Sequence, residues 1–125
     1  MLPDSILPQL TYSKRKNILV MMGPGKDYAR LPTPAVPADV YAARVAITAQ
    51  ALAAGVDKVF ICTLPPRIAS YASLLVDENV LIRAGAAANN YTVIEVANDA
   101  QMSVNPGPMY ADSAHMTAAG HSAMR

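Results

Sequence analysis

Two hydrophobic patterns alternate along this chain: short runs of consecutive apolar residues, and longer stretches in which apolar positions recur at helical spacing. The first run, Asn17-Ile18-Leu19-Val20-Met21-Met22, lies between Lys14-Arg15-Lys16 and Gly23-Pro24-Gly25 and predicts a strand buried on both faces. Lys58-Val59-Phe60-Ile61-Cys62-Thr63 predicts a second strand, stopped by Leu64-Pro65-Pro66-Arg67, and Tyr91-Thr92-Val93-Ile94-Glu95-Val96 a third. Between them, Ala38 to Ala54 predicts a helix. Asp39 sits in its first turn, Tyr41, Val45, Thr48 and Leu52 share a face, and Gly55 stops it. A second helix is expected from about Ser73 to Ala88, with Leu74, Val76, Val80, Leu81 and Ala84 on its buried side and Asp77, Glu78 and Arg83 in water. Asn89-Asn90 ends it, and a last short helix is expected from about Thr117 to Met124.

Strand and helix in strict alternation favour a parallel sheet joined by right-handed crossovers, in one α/β domain spanning residues 1–125. In such sheets the site lies beyond the carboxyl ends of the strands. Three long segments leave from those ends. One, from Gly23 to Pro37, carries Pro24, Pro32, Pro34 and Pro37 and predicts a shaped loop; the others follow Thr63 and Val96. All three converge on one rim.

Composition narrows the function classes. Over 125 residues the chain is 53% hydrophobic and 15% charged, which excludes a disordered tail and leaves apolar surface available for a partner. A net charge of +1, with Lys14-Arg15-Lys16 the one basic cluster, shows no nucleic-acid footprint. The lone cysteine, Cys62, excludes an internal disulfide and reads as a small buried hydrophobe, in keeping with a reducing compartment. No apolar stretch reaches membrane-spanning length, and Met1-Leu2-Pro3-Asp4 lacks the basic start of a signal peptide; the compartment is left open. Gly25-Lys26 is not a phosphate loop, because Val20 stands at the first glycine position and Asp27 at the hydroxyl position. Asp112, His115 and His121 are too few for a metal site, so neither a metal nor another cofactor is expected.

The strongest chemical signal is Asp112-Ser113-Ala114-His115, an acid and a base three positions apart at the start of the last helix. In one site such a base takes a proton from a nucleophile while the carboxylate orients it. The same residues also suit a plain helix start, with Asp112 as cap and His115 exposed in the first turn. Ser113 reads as a loop or cap residue, and His121 as surface.

In this order the blocks resemble the SGNH hydrolases, the GDSL-type esterases and lipases. Asp112-Ser113-Ala114-His115-Met116-Thr117-Ala118-Ala119-Gly120 is similar to the family's final D-x-x-H block, Ile18 to Asp27 to the strand entering its G-x-N-D block, and Thr63 to Arg67 to the turn after the next strand. The resemblance implies a three-layer, flavodoxin-like parallel sheet, of which this chain carries about three strands and lacks the preceding Gly-Asp-Ser portion. It implies hydrolysis of an acyl or acetyl ester, on a small ester or an acylated carbohydrate. His115 would be the base, Asp112 its partner, and Gly23, Gly25, Lys26 and Asp27 the loop lining the oxyanion site, with Lys26 where the family has asparagine. Ser5, in Asp4-Ser5-Ile6, is the nearest candidate nucleophile, although no strand precedes it and only about a dozen residues separate it from the first strand; the competing reading has Asp4 or Ser5 cap a short helix toward Leu10. The competing expectation is a non-catalytic structural or binding subunit that keeps a hydrolase-like fold. Either way the missing strands predict a homo-oligomer or a heteromeric partner covering the sheet edge.

Overall fold

A computed structural model describes residues 16–22, 28, 35–66, 71–100, 102–104 and 118–123. Three strands, β1 (Ile18–Met21), β2 (Lys58–Cys62) and β3 (Thr92–Ile94), alternate with helices α1 (Pro37–Ala53) and α2 (Ala72–Gly85), and α3 (Ala118–Ala123) follows. The sheet is parallel throughout, in the order β1-β2-β3. This is the α/β parallel architecture that the alternation predicts, with no element end moved by more than three residues.

Local chemistry sets the helix ends. Pro37 opens α1, where its missing N–H is no loss and its fixed φ suits the first turn. At the other end Gly55 takes φ 102°, so its N–H reaches Leu52 O and that of Val56 reaches Ala51 O, satisfying two carbonyls that a helix terminus would orphan. Val56 and Ala51 then meet in the core. After α2, Asn90 plays the part of the glycine at φ 58°, and Tyr91 N–H returns to Ala86 O.

Pleat alternation divides the sheet residues between two faces. Leu19, Met21, Val59, Ile61 and Val93 pack under α1 and α2 with Ala51, Val56, Ile82 and Tyr91, forming the main core. A second cluster, Tyr28, Leu64 and Leu75, closes the helical layer at the carboxyl ends of the strands. β1 is therefore not buried on both faces as its unbroken apolar run predicts. Its residues alternate between half-buried and exposed, and Met22 just beyond it is exposed as well. The run records what β1 could bury; the described helical layer covers one side.

The buried face of α2 also differs from expectation. Leu75, Glu78, Asn79 and Ile82 face inward, while Val76, Val80 and Ala84 face out. Leu74 and Leu81 are half-buried, and Asp77 and Arg83 are exposed as predicted, but Glu78 is fully buried rather than wet. Its partners, described below, are what make that burial tolerable.

At the far end of α2 a hydroxyl network depends on a missing side chain. Asn89 Nδ2 donates to Tyr41 OH and Gly85 O, Tyr41 OH lies 3.0 Å from Tyr91 OH, and Tyr91 OH donates to Ile82 O. A Cβ on Gly85 would lie 1.7 Å from the Tyr41 hydroxyl oxygen. Gly85→Ala should therefore lower stability by roughly 1–2 kcal/mol net in urea unfolding, because displacing the tyrosine outweighs alanine's better helix propensity. Stabilisation by this substitution would show that the ring yields freely.

Candidate functional site

The rim beyond the carboxyl ends of the strands is fixed by polar side chains that sequence periodicity does not reveal. Thr63 follows β2 and extends its ladder, donating its N–H to Ile94 O. Its buried hydroxyl accepts from the N–H groups of Val96 and Ala97 and donates to Glu95 Oε1. One side chain thus pins the start of the loop after β3. Asn79 performs the same task for the loop after β2, accepting from Leu64 N–H at 2.6 Å and donating to Leu64 O at 2.9 Å. An asparagine inside a helix is a poor helix former; here its amide replaces a backbone partner for Leu64.

Glu95 also receives a two-pronged contact from Arg83, at 2.9 Å from Nε and 2.7 Å from Nη2. The Arg83 hydrogen bonds hold the Glu95 carboxyl below the usual glutamate range, with Thr63 and an Asn98 backbone contact acting the same way against partial burial. The guanidinium of Arg83 is raised in turn, chiefly by Glu95. A depressed carboxylate contributes stability above its unfolded-state pKa of about 4.3, and that contribution disappears as pH falls through the lower folded value. Glu95→Gln should therefore flatten the acid limb of a stability-versus-pH curve below about pH 4.3. Because both side chains are more than a third exposed, the effect at neutral pH should stay within about 1 kcal/mol. An unchanged acid limb would refute this.

Deeper under the rim, between α1 and α2, lies a buried charged group. Arg44 Nε donates to Glu78 Oε1 at 2.7 Å, and Tyr28 OH donates to Glu78 Oε2 at 2.8 Å. Arg44 Nη2 is buried with no hydrogen-bond partner among the described residues. Tyr28 stands one residue past the Gly23 to Asp27 stretch in sequence, and this contact ties Tyr28 to α2 and, through Glu78, to Arg44 of α1. Cys62 lies nearby. Burial pushes its thiol above the ordinary range and Arg44 offsets that in part, which makes it a core residue, as expected, and a poor nucleophile.

A cleft of about 180 Å³ opens on the rim between the two pinned loops and the first half of α2. Leu64, Pro66, Leu75 and Val76 give it apolar walls, with Asn79, Arg83 and Asn98 as polar groups. That is room for a group slightly larger than the benzene that a cavity of about 150 Å³ accepts. Among the described lining residues the one cation, Arg83, is already paired with Glu95.

The residues singled out from the sequence stand differently. Asp112, His115, Ser5, Gly23, Gly25, Lys26 and Asp27 lie outside the described residues, and His121 falls in α3. Met22 and Tyr28, which flank the proposed oxyanion loop, are described. Asn79, Glu95 and Arg44 carry no motif in the sequence, Thr63 enters it only as the start of a turn, and Glu78 only as a residue expected in water. The available signal was small: a glutamate and an asparagine side by side, a turn from Leu75 on one side and from Ile82 on the other.

Among the described residues no helix is long and apolar enough to cross a membrane. No protein-family model matches the chain, and a search of curated proteins finds no match. Among solved structures, a crystal structure titled as a "putative acylhydrolase" from Bacteroides fragilis is similar, with a TM-score of 0.67 and 18% sequence identity. The match covers 86% of this chain and 56% of that one, so this chain spans little more than half the neighbour's length. At that identity the likeness establishes a shared fold, the parallel α/β sheet with its helices.

Proposed function

We propose that this chain is an SGNH-type ester hydrolase domain acting on acyl or acetyl esters, with its chemistry on the rim beyond the strand ends. The observation that carries this reading is the likeness of the fold to a protein named as an acylhydrolase. The order of blocks along the sequence agrees with it: a strand leading to Gly23-Pro24-Gly25-Lys26-Asp27, a Pro-Pro turn after the next strand, and Asp112-x-x-His115 last.

In this reading a serine hydroxyl adds to the ester carbonyl while His115 accepts its proton and Asp112 stabilises the resulting imidazolium. The oxyanion is met by backbone N–H groups of the Gly23 to Asp27 loop and by the Lys26 ammonium. Collapse expels the alcohol, which takes the proton back from His115, and water then releases the acid by the same two steps. Ser5 is the candidate nucleophile within this chain. The test is hydrolysis of p-nitrophenyl acetate and butyrate by the purified chain, together with covalent labelling by a fluorophosphonate. Turnover with one label per chain supports the reading, and inertness to both sinks it.

A further inference from the structure

The buried pair of Arg44 and Glu78 adds little net stability, because both charges must leave water and Arg44 Nη2 finds no hydrogen-bond partner among the described residues. Apolar side chains of similar volume would serve the packing as well. What they could not supply is a carboxylate acceptor for the Tyr28 hydroxyl. Glu78 Oε2 accepts that hydroxyl at 2.8 Å while Arg44 Nε donates to Glu78 Oε1 at 2.7 Å, so the carboxylate is held from two sides. Tyr28 also belongs to the rim. Its ring packs with Leu64 and Leu75, and both of those residues line the cleft. In sequence only Gly23 to Asp27 lie between Tyr28 and Met22, the residue that follows β1. The stretch to which the proposed mechanism assigns the oxyanion donors is therefore bounded by a strand of the sheet at one end and by Tyr28 at the other.

We propose that Tyr28 is a positioning residue for ester hydrolysis, its hydroxyl anchored on the Glu78–Arg44 pair so that the stretch before it meets the oxyanion in a fixed register. The proposal rests on the ester-hydrolase reading, and it gives the buried charges a role that stability does not explain. In this role Tyr28 touches no reacting atom and acts through the backbone that precedes it. Donors to an oxyanion must stand in place before the charge develops, and displacing such a group by about 1 Å can cost about 100-fold in rate.

Steady-state hydrolysis of p-nitrophenyl acetate by the full chain tests it, with every variant checked by circular dichroism to be folded at the temperature used. Tyr28→Phe keeps the buried ring and removes only the hydroxyl. It should lower kcat at least about tenfold and leave KM within about twofold, since the loss falls on the transition state. Arg44→Leu combined with Glu78→Leu removes the anchor instead and should lower kcat to the same extent. Adding Tyr28→Phe to that pair should produce no further fall, because the hydroxyl then has no carboxylate to lose. Gly85→Ala, which acts on stability at the far end of α2, should keep the wild-type kcat. An active wild type whose Tyr28→Phe variant keeps its kcat overturns the proposal and leaves the ester-hydrolase reading intact. So do losses that multiply in the triple variant, or an equal loss in Gly85→Ala. A wild type inert toward the ester overturns both.

Discussion

Glu78→Ala should destabilise the chain by about 3–5 kcal/mol, a large share of the 5–15 kcal/mol available to a domain. Glu78 is fully buried and is the charge partner of Arg44, itself 5% exposed. Removing the carboxylate leaves a guanidinium in the interior with nothing to compensate it. It also removes the acceptor of the Tyr28 hydroxyl hydrogen bond. The loss is not a measure of what the pair adds, because bringing both charges out of water is itself costly. Replacing both residues with leucine should accordingly cost far less than Glu78→Ala alone. Urea unfolding of Glu78→Ala, Arg44→Leu and the double variant separates these cases. A loss below about 1 kcal/mol for Glu78→Ala would mean that water reaches the pair, as it does for surface ion pairs.

His115→Ala is expected to reduce turnover of p-nitrophenyl acetate by at least about 100-fold, the lower end of what general acid–base catalysis contributes. In the proposed mechanism His115 must be neutral to accept the serine proton. The wild-type rate should therefore fall at acid pH, where the imidazole carries its proton and cannot act as base. Asp112→Asn should slow the reaction with little change in KM, because it alters the orientation and charge of the base rather than the fit of the ester. Unimpaired turnover in His115→Ala would remove the acid–base step from the mechanism even if the chain proved to be an esterase.

Much of the fold was legible because local signals agreed. Val59-Phe60-Ile61 is continuous, β-rich and bounded by turn formers, and α1 has Pro37 and Asp39 at its start and Gly55 at its end. The face of α2 was not legible. Hydrophobic spacing favoured Leu74, Val80 and Leu81, whereas the buried stripe includes Glu78 and Asn79, whose partners come from Tyr28, Arg44 and Leu64. Each partner lies 15 or more residues away in sequence, beyond the reach of any periodicity count. The same limit applies to β1, since an apolar run says nothing about how many layers lie over it. For the site, the acid–base step at Asp112 and His115 was visible as spacing alone, while the pinning roles of Thr63 and Asn79 exist only once β2, α2 and β3 are assembled.

The grip of Asn79 on Leu64 has a thermodynamic side. Because one helical side chain occupies both backbone groups of Leu64, this wall of the rim cleft is positioned by α2 before anything enters. Thr63 does likewise for Val96 and Ala97 on the other wall. A small guest would meet a shape already paid for during folding, so its binding entropy would carry little cost for ordering these loops, and the cleft would discriminate by size rather than by closing around its guest.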